Sequence, residues 1–452
     1  MRRILLIALL AAALNVILLT IVKSYDVRLG PFHLAAHGLF KPLLYLNAAV
    51  LLVALAASNS KFPSRGTFVS PNAFCIALAV TVLYLPSLSV SATHAEWTHQ
   101  LTSAQHNSLS GLAGMFISKQ LDGFYRPIGF LSLWVDYRIF GDHQWGYHLQ
   151  NIFFHVANCL LLARLGIRLG LETATARWAA LLFGVAAANY EPVIWPGARF
   201  DLLAAFFTLL ALLAALAWLR GDDRTSLWWV ALCFALAVLS KESAYCFPLL
   251  LLFFILTSQT WGLRGWSVPS AANLLAVAAA STLLLLGIRY AIYNGMGGYP
   301  DATGVAPHFV LHLATFTSFF TRALPVPVFG INTDARLPWW AATSAAVFAI
   351  TACGFAISAG GDFSRKLLLL AAALLSALPA ANLVDWISPL MRNTRYLYLP
   401  GMWICFLLAA AASDRPRARW WLVGIIAANA LGAIYNYHAF HWFDWAPRPS
   451  AL

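Results

Sequence analysis

The amino-acid sequence predicts an all-α polytopic protein that crosses a membrane many times. Of its 452 residues, 61% are hydrophobic and only 10% are charged, whereas soluble proteins average about 45–50% and about 25%. So few charged side chains cannot cover the surface of a water-soluble fold of this size. The 18 tryptophans are typical of the aromatic belts at membrane interfaces. The composition also excludes a disordered chain and a disulfide scaffold.

Apolar runs along the chain support this fold class, because a membrane span needs roughly 20 apolar residues. About thirteen candidate spans lie near 4–22, 42–58, 72–90, 146–163, 177–193, 200–218, 227–240, 245–259, 270–289, 339–358, 367–384, 397–413 and 420–436. The first two form an N-terminal two-span extension, residues 1–70, ahead of one main transmembrane domain, residues 71–452. The seventh and eighth spans are short and meet at Ser240-Lys241-Glu242-Ser243, which predicts a tight helical hairpin or a broken pair of helices.

The loops between these spans predict the orientation. One set is short and rich in Lys and Arg, and the other set contains two long segments, about 91–145 and 290–338. Basic residues in short loops favour the cytoplasmic side, so we expect a cytoplasmic N-terminus and long loops on the periplasmic or lumenal face. The net charge of +12 therefore indicates topology rather than nucleic-acid binding. Short loops favour a bacterial inner membrane. Most acids and histidines fall on the outer side, which predicts a functional site there.

Two helices are predicted around the end of the first long loop. The pattern from Pro127 to Phe140 is amphipathic, with a proline start and Gly141 at the end, which predicts a helix lying on the outer face. Polar side chains then recur at steps of three and four residues, which places them on one stripe of the next helix: His148, Asn151, His155 and Asn158. This stripe faces either a water-filled cavity or hydrogen-bonding partners on other helices.

Four motifs place cations at the same outer interface. They are Tyr125-Arg126-Pro127, Glu191-Pro192 followed by Arg199-Phe200-Asp201, Lys241-Glu242, and Arg395-Tyr396. Clustered cations of this kind would bind an anionic lipid headgroup or a pyrophosphate. Two structural interpretations stay open: basic side chains extending to the interface from helix ends, and a structural ion pair between Arg199 and Asp201 beside Glu191.

In this order and spacing the motifs resemble the GT-C superfamily of membrane glycosyltransferases, nearest the protein O-mannosyltransferase-like branch. The matching motifs are Tyr-Arg-Pro, Gly-Tyr-His-Leu-x-Asn, Glu-Pro-Val-x-Trp-x-x-x-Arg-x-Asp, Ser-Lys-Glu-Ser and Arg-Tyr-Leu-Tyr-Leu-Pro, from about residue 84 to 413. The resemblance implies an enzyme that moves a hexose, mannose-type in the nearest branch, from a polyprenyl-phosphate carrier to a protein, glycan or lipid acceptor. It also implies that residues 71–452 are the catalytic domain.

The resemblance further implies roles for individual residues. Its general base is a carboxylate in the first long outer loop, usually Asp, and here the matching place holds Glu96, with Asp26 and Asp122 as rivals. The implied phosphate-binding cations are Arg126 and Arg395 first, then Arg199 and Lys241. His148 would donate a hydrogen bond to the sugar or the phosphate. The implied supporting residues are Tyr125, Glu191, Asp201 and Glu242.

No cofactor is expected, and no Gly-rich phosphate loop is present that would bind a nucleotide sugar. A divalent metal at one of the histidine pairs His33/His37 or His308/His312 is the less favoured alternative, because no carboxylate completes either pair. Two other functions stay open: a transporter or flippase of lipid-linked sugars, and a catalytically inactive scaffold with the same fold. A transporter would be expected to carry internal repeats with broken helices in matching halves, and the sequence has none.

Overall fold

The computed structural model describes most of the chain between residues 71 and 439. The described residues are 71–89, 100–102, 111–119, 124–221, 225–263, 266–294, 354, 357, 362–380, 394–413 and 418–439, with the backbone alone for 24–29 and 32–37. The predicted spans 4–22 and 42–58 lie outside this part of the chain, as does nearly all of 339–358. The proposed N-terminal extension, residues 1–70, therefore stays a prediction apart from one short hairpin.

The described part is built almost entirely from α-helices, which lie at ten of the thirteen positions predicted for spans. In chain order they are α1 (Ala73–Tyr84), α2 (Gly114–Ile117), α3 (Pro127–Phe140), α4 (Gln144–Arg168), α5 (Thr173–Val185), α6 (Tyr190–Ile194), α7 (Arg199–Arg220), α8 (Ser226–Ser240), α9 (Phe247–Leu256), α10 (Val268–Tyr293), α11 (Phe363–Ala377), α12 (Tyr398–Ser413) and α13 (Ala418–Ala439). The all-α prediction therefore holds for the main domain.

Three of the described helical segments are long and apolar enough to cross a membrane. They are Pro196–Arg220, Val268–Tyr293 and Thr394–Ser413. Other apolar helices are shorter: the ten residues of α9 extend only about 15 Å at 1.5 Å per residue. The predicted count of about thirteen spans is therefore not confirmed, although the described helices agree with an integral membrane protein.

Helices α4 and α12 form the centre of the bundle. α4 packs against α1, α5 and α7, while α12 packs against α5, α11 and α13. Nearly every residue of α12 is buried, whereas α10 exposes large apolar side chains such as Leu283 and Leu284. A helix that is apolar all round belongs either inside a protein or against lipid. These two helices therefore represent the protein interior and the lipid-facing periphery.

An antiparallel β-hairpin departs from the all-α prediction. Strand β1 (Ser24–Leu29) pairs with β2 (Phe32–His37), with Leu29 opposite Phe32 and Asp26 opposite Ala35. From Asp26 to Leu29 polar and apolar residues alternate, which is the period of a strand rather than that of a helix. Such a short alternating segment contains no long apolar run, so apolar length alone did not predict it.

Two predicted features next to the candidate site are confirmed. Helix α3 runs from Pro127 to Phe140, and Gly141 ends it with φ of +58°, a conformation that favours glycine. Helix α8 ends at Ser240, the chain is extended at Lys241, and a 3₁₀ turn (Glu242–Cys246) precedes α9. The charged segment thus lies at a break between two helices, as the broken-pair interpretation requires.

Candidate functional site

Charged side chains from distant segments meet at the end of the bundle where α7 and α12 begin and where α8 and α10 end. We call this set the charged strip; its members are Arg126, Glu191, Asp201, Lys241, Glu242, Arg289 and Arg395. Six of the seven belong to the motifs singled out in the sequence. The motifs that resembled a known family are therefore brought together by the fold.

Glu242 binds two guanidinium groups, one with each carboxylate oxygen. Arg126 donates from Nε and Nη2 to Oε2 at 3.0 and 2.9 Å, and Arg289 donates from Nη1 to Oε1 at 2.9 Å. Burial alone would raise the pKa of the Glu242 carboxyl, but the two guanidinium groups outweigh it and lower the pKa to about 2. Glu242 is therefore ionised at neutral pH.

Aromatic rings and a backbone contact hold Arg126 and Arg289 near each other. The Arg126 guanidinium lies over the ring of Phe124 at 4.1 Å and near that of Phe200 at 5.6 Å, within range of a cation–π interaction. Tyr293, one turn beyond Arg289, donates from its hydroxyl to the carbonyl of Phe124 at 3.0 Å. The end of α10 is thus fastened directly to the segment that carries Arg126.

Tyr125 has a structural contact in this region. Its hydroxyl donates to the carbonyl of Phe116 at 2.7 Å, which ties the start of α3 to α2. Burial, together with the neighbouring phenol of Tyr293, raises the pKa of Tyr125, so this hydroxyl remains a donor at neutral pH. The position agrees with the supporting role expected for Tyr125, which stays a prediction.

The second unit of the strip is the pair Lys241–Asp201. The Lys241 ammonium donates to both carboxylate oxygens of Asp201, at 2.5 and 2.6 Å, and both side chains are buried. The ring of Tyr396 lies 5.0 Å from the ammonium nitrogen. This pair fixes the break after α8 against the first turn of α7.

The third unit is the pair Arg395–Glu191. Arg395 donates to Glu191 from Nη1 and from its backbone N–H, both at 3.0 Å, and the Thr394 hydroxyl donates to the same carboxylate at 3.2 Å. The Arg395 guanidinium lies over Trp195 at 4.9 Å and Tyr396 at 5.4 Å. Tyr396 therefore stands between Arg395 and Lys241 and joins the second and third units.

Arg199 is separate from the strip, which corrects the interpretation of an ion pair between Arg199 and Asp201. It is fully buried and pairs with Asp136 at 2.6 Å rather than with Asp201, because residues two apart on a helix do not face each other. Three of its other four N–H groups donate to protein acceptors at 2.5–3.1 Å: Asn151 Oδ1, Ser132 Oγ and the Tyr147 carbonyl. A fully buried guanidinium that is hydrogen-bonded to protein groups indicates a structural residue, so we do not include Arg199 in the proposed phosphate site.

The predicted polar stripe of α4 is buried inside the bundle. Asn151 donates to the carbonyls of Val193 and Trp195 at 3.2 and 3.0 Å, which anchors the segment that carries Glu191. His155 and Asn158 both contact the Tyr398 hydroxyl, so interhelical hydrogen bonding is the correct interpretation for these two. His148 is also fully buried, one turn before Asn151, and its contact with a donor substrate stays a prediction.

The candidates for the general base lie almost entirely beyond the described residues. Glu96 and Asp122 are outside them, and Asp26 is described only by the backbone of β1. The choice among the three therefore remains a prediction. Within the described residues no group of three or more His, Cys, Asp or Glu side chains could hold a metal ion.

No role was predicted from the sequence for two charged residues of this region. Arg289 lies inside the apolar segment Val268–Tyr293, and a charge inside a predicted span is itself a sign of a functional site. Asp136 lies on the buried face of α3. Burial raises the pKa of its carboxyl, and Arg199 opposes this. The spacing of Asp136 within the amphipathic pattern of α3 could have shown that it points inward.

Comparisons with known proteins leave the family of this chain open. No protein-family model matches it, and no curated protein matches it. A solved structure that it resembles is the crystal structure of ArnT from Cupriavidus metallidurans bound to undecaprenyl phosphate. The two are 16% identical over 80% of this chain and 75% of that chain, with a TM-score of 0.36. A likeness at that level carries no argument, so functional conclusions rest on the residues themselves.

Proposed function

We propose that this protein is a membrane glycosyltransferase that moves a sugar from a polyprenyl-phosphate carrier to an acceptor on the outer face of the membrane. The observation that carries the proposal is the charged strip. It gathers cations from four separate segments, around Arg126, Lys241, Arg289 and Arg395, at one end of an apolar bundle. The resemblance of these motifs to the GT-C superfamily supports the same function, with a hexose, mannose-type in that branch, as the sugar.

The proposed reaction needs a base and a set of cations. The acceptor hydroxyl attacks the anomeric carbon of the sugar, and the bond from that carbon to the carrier phosphate oxygen breaks. The base takes the hydroxyl proton, and the carrier leaves as polyprenyl phosphate. Cations near the departing oxygen stabilise the charge that develops there. No metal is required, because guanidinium groups can bind phosphate directly.

Arg126 and Arg289 are the best candidates for binding the phosphate. Both guanidinium groups point at a single carboxylate that is 22% exposed, whereas the carboxylates that bind Lys241 and Arg395 are 4% and 1% exposed. The cations themselves differ less, with Arg395 13%, Arg126 11%, Arg289 8% and Lys241 6% exposed. What favours the first pair is the partly exposed carboxylate between its guanidinium groups, whose place an incoming anion could take. Lys241 and Arg395 would then stabilise the surrounding structure through their ion pairs with Asp201 and Glu191.

For the general base we propose Glu96, with Asp26 and Asp122 as alternatives. A glutamate can accept the same proton as the aspartate usual in similar enzymes, provided that the loop brings its carboxylate within hydrogen-bond reach of the acceptor. The resemblance supports Glu96, because it is the acid that stands in the matching part of the first long loop.

The exposed aromatic residues support an outer-face location for the strip. Trp228 and Trp229 near the start of α8, and Trp420 and Trp421 near the start of α13, are exposed and follow short basic loops, as cytoplasmic interface residues do. Helix α8 separates the first pair from Lys241 by 12–13 residues, or about 18–20 Å at 1.5 Å per residue. We therefore propose that the strip lies near the opposite, periplasmic interface of a bacterial inner membrane.

The test is an assay of purified protein in nanodiscs with a panel of polyprenyl-phosphate sugars. The readout is release of polyprenyl phosphate, with membrane extract as the source of acceptor. We expect Glu96→Gln to lower release by at least about a hundredfold, since general-base catalysis contributes about 10²–10⁴. Glu172→Gln is the matched control, because Glu172 is exposed beyond the far end of α4.

Other outcomes would change the assignment. Equal release by the wild type and Glu96→Gln would move the base to Asp26 or Asp122. Binding of polyprenyl phosphate without release from any donor would contradict the transferase proposal and favour a transporter or an inactive scaffold.

A further inference from the structure

Arg126 and Arg289 come from segments far apart in sequence and converge on the Glu242 carboxylate. Arg126 precedes α3 and Arg289 lies near the end of α10, and each donates to a different oxygen of Glu242 at 2.9–3.0 Å. Two guanidinium groups that grip one oxyanion from two sides match the geometry with which arginine binds phosphate. The carboxylate thus occupies a place whose donors suit a larger anion.

Glu242 differs from the other acids of this region in accessibility. Its side chain is 22% exposed, whereas those of Asp136, Asp201 and Glu191 are 2%, 4% and 1% exposed. The neighbouring Lys241 is fastened to Asp201 through both carboxylate oxygens, so the backbone is anchored beside Glu242. An outward rotation of the Glu242 side chain would therefore leave the break between α8 and α9 in place.

We propose that Glu242 is an exchangeable internal counter-ion, which holds Arg126 and Arg289 together in the ligand-free protein and yields its place to the phosphate of the lipid carrier. This inference rests on the proposed function and adds a competing group within the same site. A phosphate and a carboxylate repel each other at the same two guanidinium groups. When the carrier phosphate leaves, Glu242 returns and replaces it, which makes release of the product easier.

The charge state of Glu242 agrees with this exchange. The two arginines hold its pKa at about 2 despite burial, so Glu242 competes with the phosphate as an anion at neutral pH. A purely structural role for Glu242 makes the opposite prediction. If the carboxylate served only to position the arginines, its removal would weaken phosphate binding rather than strengthen it. The sign of the change in affinity therefore separates the two roles.

The experiment measures binding of undecaprenyl phosphate and of undecaprenol to the full-length protein in nanodiscs. The two probes share the same chain, so their difference isolates the phosphate. We expect Glu242→Gln to bind undecaprenyl phosphate about tenfold more tightly and Arg289→Gln to bind it at least about tenfold more weakly, since one charge-assisted hydrogen bond is worth about that factor. Binding of undecaprenol should not change in either variant.

Matched controls come from the far end of the bundle. Arg365 donates to the Thr260 carbonyl at 2.8 Å and pairs with Asp362, so Arg365→Gln removes an arginine of similar bonding away from the strip. Glu172→Gln removes an exposed acid. Both controls should bind undecaprenyl phosphate as the wild type does. Inorganic phosphate serves as a competitor, and displacement only at concentrations far above those of the lipid would identify the lipid phosphate as the ligand.

Three results would overturn the inference. Equal or weaker binding of undecaprenyl phosphate by Glu242→Gln would leave the proposed function intact but make Glu242 a positioning residue. Unchanged binding by Arg289→Gln would place the phosphate elsewhere. Failure of the wild type to bind undecaprenyl phosphate more tightly than undecaprenol would contradict both the proposed function and this inference.

A second measurement needs no variant and therefore does not depend on correct folding of a mutant. When Glu242 leaves the arginines, the 3₁₀ turn Glu242–Cys246 loses a side-chain anchor. We expect hydrogen exchange in this turn to increase on addition of undecaprenyl phosphate and to be unaffected by undecaprenol. Slower or unchanged exchange with undecaprenyl phosphate would contradict displacement of the carboxylate.

Discussion

Replacement of Asp136 by asparagine should destabilise the protein far more than replacement of an acid in an exposed ion pair. Asp136 binds Arg199 at 2.6 Å, with side chains that are 2% and 0% exposed. The Asp136→Asn variant leaves the Arg199 guanidinium buried without its counter-charge. Removing one partner of a buried ion pair costs about 3–5 kcal/mol, which is a change of roughly two to more than three orders of magnitude in the folding equilibrium.

The pair Asp362–Arg365 provides the comparison within the same chain. Its side chains are 48% and 30% exposed at 3.0 Å, and such surface pairs contribute about 0–1 kcal/mol. We therefore expect Asp362→Asn to leave the melting behaviour nearly unchanged. Apparent melting in detergent would be followed by the loss of monodisperse protein after heating, at one heating rate, since unfolding of such proteins is often irreversible.

A double variant separates loss of charge pairing from loss of shape. Asp136→Leu combined with Arg199→Met removes both charges and replaces them with apolar side chains of comparable length, which is often neutral or stabilising. It also removes the hydrogen bonds of Arg199 to three neutral acceptors, so we expect it to recover only part of the stability lost in Asp136→Asn. This double variant should melt above the single variant Asp136→Asn. If Asp136→Asn lowered the melting temperature no more than Asp362→Asn does, Arg199 would not depend on Asp136, and the structural role assigned to this pair would be refuted.

Three further predictions concern packing, pH and topology. Gly129→Ala should lower stability and phosphate affinity together, because a Cβ at Gly129 would lie 2.2 Å from the ring of Phe200, and melting and lipid binding measure the two effects. The ratio of affinities of Glu242→Gln and wild type for undecaprenyl phosphate should stay constant from pH 5.5 to 8, because the Glu242 pKa is about 2. Cysteines introduced by Arg138→Cys and Glu172→Cys should react with a membrane-impermeant maleimide from the periplasmic and the cytoplasmic side, respectively.

Each of these predictions has a control. Gly114→Ala should have little effect, because a Cβ at Gly114 meets no atom within 4 Å. The labelling experiment uses a Cys75→Ser background, because Cys75 is exposed. In the pH series, Glu242 keeps its negative charge throughout, because its pKa is lowered to about 2. The contribution of this charge to the stability of the folded protein is complete above the unfolded pKa of about 4.3 and is lost only as the pH falls toward about 2. A ratio that changed severalfold between pH 5.5 and 8 would contradict this assignment.

Local signals in the sequence predicted helix positions well. Pro127 and Gly141 marked the two ends of α3 because proline fits the first turn of a helix and glycine tolerates the conformation that ends it. The spacing of the polar residues on α4 predicted a shared face for the same reason, since a helical repeat is a local property. The break at Ser240-Lys241-Glu242-Ser243 was also visible, because a charged tetrapeptide interrupts an apolar run.

The pairing of charges could not be predicted in the same way. Arg199 and Asp201 are two residues apart, yet their partners, Asp136 and Lys241, come from two other segments of the chain. The role of Arg289 could not be predicted because the acid that it binds, Glu242, lies 47 positions away in sequence. Ion pairs depend on which helix ends meet in the bundle, and one sequence of apolar helices is compatible with several such arrangements. The number of spans could not be predicted reliably either, because apolar length does not distinguish a membrane span from a short helix buried in protein.

The distribution of burial within the strip separates residues that hold the fold from residues that meet a ligand. Glu191 and Asp201 are almost inaccessible, and their ion pairs connect α6, α7, the end of α8 and the start of α12. Variants of either residue should therefore lower the stability of the protein more than they change its affinity for phosphate. Glu242 is partly accessible and joins two cations that have other aromatic or backbone supports nearby. Variants of Glu242 should therefore change phosphate affinity and should lower the melting temperature less than variants of Asp201 do. We therefore expect Asp201→Asn to lower the melting temperature more than Glu242→Gln does, and Glu242→Gln to change phosphate affinity more than Asp201→Asn does.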